Sequence, residues 1–223
     1  MSASGNRFAA VGACARLAVA GAIVAALVTN LLTALDEGTG SYLIGYFTNQ
    51  ANAAFAVVLV LGVIAPRLPE WKYWDSIRGA MVLYLVMTGL VYALLVAPPA
   101  ELLSWDLDWQ GIVLHRLAPL AAVADWLLAP QRDRSSAVRI LAWLIYPAIF
   151  LIITWIRGAI EGWYPYEFLN PGAAGWPTVA LTTAVVLVGF AAVASGVHAV
   201  GNARARRFGL KVNSGHPGAG LSG

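Results

Sequence analysis

Residues Phe8 to Thr33 read FAAVGACARLAVAGAIVAALVTNLLT, an apolar stretch whose only charged residue is Arg16. About 20 such residues, at ~1.5 Å of helical rise each, cross the hydrocarbon layer of a bilayer. The stretch is longer than the apolar region of a cleaved signal peptide and lacks a clear boundary where cleavage would occur. It therefore predicts an uncleaved first membrane helix.

Five further stretches have the same character, and prolines mark several of their ends. The six predicted membrane helices cover residues 8–33, 49–65, 77–97, 110–129, 137–157 and 177–203. The chain is 60% hydrophobic and 11% charged, whereas a soluble domain carries about 25% charged residues. We predict an all-α polytopic membrane protein with one six-helix transmembrane domain, residues 1–203. A basic and then Gly/Ser-rich tail, residues 204–223, is expected to be disordered.

Charged residues separate to the two ends of this predicted bundle. Seven acidic residues fall in the loops at one end, namely Asp36, Glu37, Glu101, Asp106, Asp108, Glu161 and Glu167. Twelve of the 14 basic residues fall at the other end, namely Arg7, Arg16, Arg67, Lys72, Arg78, Arg132, Arg134, Arg139, Arg204, Arg206, Arg207 and Lys211. Basic residues favour the cytoplasmic side of a membrane. We therefore expect both termini to be cytoplasmic.

Polar residues interrupt two of the apolar segments at the acidic end. Asn49, Gln50 and Asn52 open the second segment, and the pair His115-Arg116 lies inside the fourth. Polar groups within a membrane are candidate functional residues. Thr48 lies about 25 Å, and His115 about 21 Å, above the basic ends of their helices at ~1.5 Å per residue. The two residues are therefore expected at a similar depth in the membrane. The sequence does not show whether their helices are neighbours.

A threonine hydroxyl is a weak nucleophile that needs an adjacent base, and histidine is the commonest base near neutral pH. Thr48 as nucleophile and His115 as base form our candidate catalytic pair. The side chains predicted to stabilise an oxyanion or to bind substrate are Asn49, Asn52, Arg116, Arg157 and Tyr164.

Each of these residues also has a structural interpretation. Thr48 or Asn49 could cap the second helix. His115 could make an interhelical hydrogen bond, and Arg116 and Arg157 could extend to lipid headgroups. The aromatic runs 42–47 and 163–168 could anchor helix ends at the interface or line a pocket that lipid can reach.

Two prolines are placed to disturb their helices. Proline lacks an N–H, so the carbonyl four residues earlier loses its helical partner. Pro119 frees the carbonyl of His115, and Pro147 frees that of Trp143. We expect the fourth helix to open where its histidine lies.

Four other polar residues are expected to have structural roles. Asp125 is predicted to pair with Arg132 or Arg139, Cys14 to be a buried thiol, and His198 and Asn202 to be packing or interfacial residues. The three histidines lack ligand spacing, and no Gly-rich loop follows a strand. We expect no metal, no cofactor and no nucleic-acid partner.

Several motifs resemble those of a bacterial six-helix membrane family labelled Pr-six-Pr. They are Tyr46-Phe47-Thr48-Asn49-Gln50-Ala51-Asn52, then His115-Arg116-Leu117-Ala118-Pro119 with Asp125-Trp126-Leu127-Leu128, and Gly162-Trp163-Tyr164-Pro165-Tyr166-Glu167-Phe168-Leu169-Asn170-Pro171. That family is distantly similar to the androgen-induced proteins, which are membrane threonine hydrolases of fatty acid esters of hydroxy fatty acids.

The resemblance implies a multi-pass protein of the bacterial inner membrane, with Thr48 at the nucleophile position and His115 at the histidine position. It implies a lipid esterase or acyltransferase with membrane lipids and a lipid-like ester as partners. The alternative from the residues alone is a non-enzymatic protein that binds lipid or small molecules, or a transporter. A third possibility is a structural membrane protein. The sequence leaves the oligomeric state open.

Overall fold

The computed structural model describes residues 3–65, 67–98, 101, 108–129 and 136–213. Within these ranges the chain forms helices and turns, with no strand. The long helices are α1 (Ala3–Asp36), α2 (Phe47–Ile64), α3 (Trp74–Val91, extended by a π-helical turn, Tyr92–Val96), α4 (Trp109–Leu128), α5 (Val138–Glu161) and α6 (Trp176–Asn213).

Each of these six helices is long and apolar enough to cross a membrane. The prediction of a six-helix, all-α membrane protein is therefore confirmed for the described residues, with boundaries close to those expected. Helix α6 continues to Asn213, beyond the predicted end at 203. The rest of the predicted tail, 214–223, lies outside the described residues.

Helix α3 is the centre of the bundle. It packs against α2, α4, α5 and α6, while α1 packs against α2 and α4. Leu83 and Leu85 on α3 are fully buried. By contrast, α5 carries an apolar stripe on its outer side, and its exposed members are Ile145, Ile149, Ile152, Ile153, Ile156 and Ile160. Apolar side chains can face hydrocarbon without cost, so this stripe is suited to lipid contact.

Cys14 belongs to a similar outer surface. Its side chain is exposed on α1, so the prediction of a buried thiol is wrong. The α1 sequence is apolar on most sides, and its hydropathy therefore does not indicate which face the neighbouring helices cover.

The structure shows how the chain accommodates Pro119 and Pro147, each of which leaves the carbonyl four residues earlier without its helical partner. Around His115, α4 changes from α-helix to a π-helical turn, Val113–Leu117, immediately before Pro119. In α5 the helix continues through Pro147, and the hydroxyl of Tyr84 donates to the freed carbonyl of Trp143 at 2.9 Å. The neighbouring helix α3 thus satisfies a group that α5 leaves open.

Near the basic end, an ion cluster joins α1, α3 and α4. Asp125 accepts from Arg16 at 2.7 Å and from Arg78 at 2.9 Å. Arg78 also lies 3.4 Å from Asp75, and its side chain is 5% exposed. The predicted pairing of Asp125 with Arg139 is therefore wrong, and Arg132 lies outside the described residues. The predicted partners were the nearest in sequence, whereas the packing brings helices α1 and α3 to Asp125.

Candidate functional site

A cavity of about 470 Å³ lies inside the bundle toward the end that carries the acidic loops. This size falls within the ~300–1,000 Å³ range of small-molecule sites. Its walls come from all six helices and from the loop that joins α5 to α6, and most of them are apolar. The polar residues that reach it include Thr48, Asn49, Thr88, His115, Tyr166 and Thr183. The candidate catalytic residues Thr48 and His115 therefore line the same cavity.

Thr48 lies in the first turn of α2. The helix begins at Phe47, and Tyr46 is its N-cap without a side-chain cap bond. The alternative that Thr48 or Asn49 caps this helix is therefore wrong. The amide of Asn49 instead donates to the carbonyl of Leu43 at 2.9 Å, which holds the preceding loop against the helix.

Tyr166, which the sequence analysis did not select, contacts Thr48 directly. Its hydroxyl is in hydrogen-bonding contact with the Thr48 hydroxyl and with the backbone of Phe47 and Thr48. Backbone N–H groups at a helix N-terminus have no partner within the helix, so the phenol oxygen can accept from them. Burial raises the pKa of Tyr166. Tyr166 therefore keeps its proton at neutral pH and can donate it.

The signal that could have identified Tyr166 was the dense aromatic run 163–168. That run predicted Tyr164 as a substrate-binding residue, but Tyr164 packs on the backbone of Gly158, where an added Cβ would lie 2.2 Å from the tyrosine ring. The residue two positions later points to the cavity. Loop residues have no fixed period, so the sequence does not distinguish the two tyrosines.

His115 is held between α3 and the cavity. Its ring stacks on Tyr92 with centroids 3.9 Å apart, and it makes a hydrogen bond with the backbone of Thr88. Nδ1 is buried and has no partner among the described residues, so the bond to Thr88 involves Nε2. A ring that donates through Nε2 keeps a lone pair on Nδ1. That nitrogen is therefore suited to act as a base.

The side chain of Asn52 connects α2 and α4, the two helices that carry Thr48 and His115. Its side chain is fully buried, and its Nδ2 donates to the carbonyls of Thr48 at 2.9 Å and Leu114 at 3.2 Å. Leu114 immediately precedes His115. Helices α2 and α4 are therefore neighbours at the site. Asn52 is outside the cavity lining, so it positions the site rather than contacting its contents.

Two predicted binding residues lie away from the cavity. Arg116 donates to the carbonyl of Glu101 at 2.9 Å. Arg157 pairs with Glu161 at 2.7 Å and lies over the rings of Tyr42 and Trp163. Neither arginine lines the cavity, and nor does Tyr164. Both arginines lie toward the acidic end of the bundle, as predicted, but their side chains contact loop residues or their own helix rather than the cavity.

The cavity wall carries no lysine, arginine, aspartate or glutamate within the described part of the chain. The same ranges hold no group of three His, Cys, Asp or Glu side chains that could bind a metal ion. The polar groups present are hydroxyls, the amides of Asn30 and Asn49, and an imidazole. Such a set can hydrogen-bond a carbonyl or hydroxyl and can move a proton.

No protein-family model, curated protein or solved structure matches the chain. The resemblance to the six-helix family therefore rests on the sequence motifs. The function is argued below from the cavity and its residues.

Proposed function

We propose that this chain is an intramembrane lipid esterase with Thr48 as nucleophile and His115 as base. The observation that carries the proposal is that both residues line one apolar cavity. An apolar cavity in a multi-pass membrane protein is suited to an acyl chain, and the hydroxyls, amides and imidazole in its wall can hydrogen-bond an ester carbonyl.

The proposed reaction has two stages. In the first, His115 Nδ1 takes the proton of Thr48 Oγ while Oγ attacks the ester carbonyl carbon. The tetrahedral intermediate then expels the alcohol, which receives the proton from His115. In the second, His115 removes a proton from water, which attacks the acyl-threonine; the tetrahedral intermediate then breaks its bond to Thr48 Oγ, which takes the proton back from His115, and the carboxylic acid is released. An alcohol in place of water would give acyl transfer.

Tyr166 has two roles in this proposal. Its phenol accepts from the start of α2 and so orders Thr48, and its own O–H can donate to the developing oxyanion. Asn49, which also lines the cavity, can supply a second donor through its amide. Tyr166 replaces Arg116 as the proposed oxyanion donor because Arg116 turns toward Glu101.

The free site is not yet in its reactive arrangement. Thr48 Oγ contacts Tyr166, and His115 Nδ1 has no partner in the described ranges. The Thr48 hydroxyl must therefore turn from Tyr166 to His115 when substrate enters. Hydrogen bonds of catalytic residues commonly tighten only when substrate is bound.

A fluorophosphonate probe tests the proposal, because it reacts with activated hydroxyl nucleophiles. We expect the protein in lipid nanodiscs to be labelled, Thr48→Ala and His115→Ala to lose labelling, and Thr48→Ser to keep it. Thr178→Ala is a control, since Thr178 lies on α6 away from the cavity lining. Labelling of a folded Thr48→Ala variant would exclude this nucleophile.

The contact between Thr48 and Tyr166 also favours a second candidate, a non-enzymatic lipid-binding protein or transporter. In that case the hydroxyl is structural and the cavity only holds its ligand. Co-purified lipid that is retained in Thr48→Ala, with no turnover of any ester, would support this candidate over the esterase.

The chain's location belongs to the same proposal. We place both termini in the cytoplasm because the basic residues lie at that end. The cavity then lies in the outer leaflet of a bacterial inner membrane, where membrane lipids are its immediate partners.

A further inference from the structure

Thr183 on α6 carries a buried hydroxyl without a hydrogen-bond partner among the described residues. It lines the cavity, its side chain is 8% exposed, and Oγ1 has no hydrogen-bond partner in the described structure. A helical threonine usually donates to the carbonyl four residues earlier. Thr88 does so to Tyr84 and Thr182 to Thr178, each at 2.9 Å.

An unpaired buried hydroxyl is costly, and native proteins contain few of them. Thr183 has one donor and acceptor lone pairs to offer. A ligand hydroxyl satisfies both the donor and an acceptor lone pair of Thr183, because it can accept from Thr183 and donate to it. A ligand carbonyl would use the donor alone.

The uncharged wall restricts the ligand further. Lysine and arginine are missing from the described lining, so a phosphate or carboxylate inside the cavity would have no counter-charge. Burying an unpaired ion is strongly unfavourable. The part of the ligand inside the cavity is therefore neutral.

We infer that the cavity takes an uncharged acyl ester that also carries a free hydroxyl, of the monoacylglycerol class, and that Thr183 binds this hydroxyl. The assignment of the ester group to Thr48 and His115 rests on the proposed function. Recognition of the hydroxyl by Thr183 concerns binding and does not require hydrolysis.

Competition binding in nanodiscs tests the inference, with displacement of a fluorescent fatty-acyl probe as the readout. The competitors are monooleoylglycerol, methyl oleate, which lacks the hydroxyl, and oleoyl lysophosphatidic acid, which is charged. Wild type is compared with the isosteric Thr183→Val and with Thr183→Ser, which keeps the hydroxyl. Thr182→Val is the matched control, because its hydroxyl is satisfied by Thr178 and Phe168.

In wild type, Thr182→Val and Thr183→Ser, we expect monooleoylglycerol to compete about tenfold better than methyl oleate, the value of one net hydrogen bond. In Thr183→Val the two esters should compete equally. An unchanged preference in Thr183→Val would overturn the role of Thr183. Strongest competition by lysophosphatidic acid would overturn the neutral ligand class.

If the chain binds the ester but does not hydrolyse it, the experiment gives a result that differs from loss of hydroxyl recognition. The preference for monooleoylglycerol would then persist while neither ester is hydrolysed. Because Thr183→Val removes an unpaired polar group, we expect its melting temperature to equal or exceed that of wild type, which separates lost binding from lost folding.

Discussion

The buried amide of Asn52 donates to the carbonyl of Leu114 at 3.2 Å, and so ties the helix of Thr48 to the residue before His115. The same Nδ2 donates to the carbonyl of Thr48 at 2.9 Å. One side chain therefore links the backbones of both proposed catalytic elements. We expect the spacing of the proposed nucleophile and base to depend on this amide.

Replacing Asn52 should loosen this link. In Asn52→Leu the carbonyl of Leu114 loses its donor, and we expect a loss of about 1–3 kcal/mol in unfolding free energy. Unfolding in SDS, followed by circular dichroism, measures it. Asn49→Leu is the control and should cost less, because Asn49 bonds only the adjacent loop. Equal losses in the two variants would contradict the interhelical role of Asn52.

Removing the Tyr166 hydroxyl should slow the proposed reaction more than it weakens binding. If its O–H stabilises the oxyanion, Tyr166→Phe should lower kcat about 10²-fold and leave KM within a few-fold. Steady-state hydrolysis of monooleoylglycerol measures both constants. Tyr164→Phe is the control, since that ring packs on Gly158. A rise in KM alone would assign Tyr166 to binding.

The raised pKa of Tyr166 gives a pH dependence with a definite sign. Burial holds the folded pKa above the unfolded value of about 10. The unfolded chain therefore loses this proton first, so the stability from neutral Tyr166 is complete below about pH 10 and falls above it. Tyrosinate absorbance and thermal melts from pH 8 to 12 measure this. Tyr166→Phe should lose less stability across that range than wild type, and an equal loss would contradict the prediction.

Two ion pairs differ in burial, and we expect them to differ in their contribution to the free energy of unfolding. Asp125→Asn removes one of the two carboxylates that pair with the buried Arg78, while Asp75 remains at 3.4 Å, and we expect a cost of about 1.5–3 kcal/mol for the lost charged hydrogen bonds. Glu161→Gln breaks an exposed pair with Arg157, and we expect less than about 1 kcal/mol. Denaturant titration in matched detergent compares them. Similar costs would show that the Asp125 cluster is solvated.

Access to the cavity can be restricted from the lipid side. Leu187 lines the cavity yet is 45% exposed on α6. Leu187→Trp should occupy this opening and exclude about two buried methylenes of ligand at ~0.8 kcal/mol each, which weakens binding about tenfold. Displacement of the fluorescent probe measures it. Val188→Trp, on the adjacent exposed position, should bind normally.

Most of the fold could be predicted because hydropathy indicates both span number and depth. Pro119 even located the π-helical turn at His115. Hydropathy does not indicate how a helix is rotated or which helix lies beside it. The predictions that Cys14 is buried and that Asp125 pairs with Arg139 were wrong for that reason.

For the candidate site too, the sequence indicated the depth of residues but not the direction of their side chains. Thr48, Asn49 and His115 share a depth and also line one cavity. Arg116 follows His115 directly and Arg157 was expected to lie higher, and neither side chain lines the cavity. Tyr166 reaches the site through an irregular loop whose course depends on tertiary packing, and Thr183 is one of several threonines in α6 that sequence does not distinguish.

The cluster of Arg16, Arg78 and Asp125 has a consequence for biogenesis. Asp125, the carboxylate that contacts both arginines, belongs to the fourth helix, so it leaves the ribosome after the first and third helices. Until it arrives, Arg78 has Asp75 of its own helix as its acidic partner, whereas Arg16 has no carboxylate of this cluster beside it. Because Arg16 meets its carboxylate only on the fourth helix, we expect the first and fourth helices to reach their final places together.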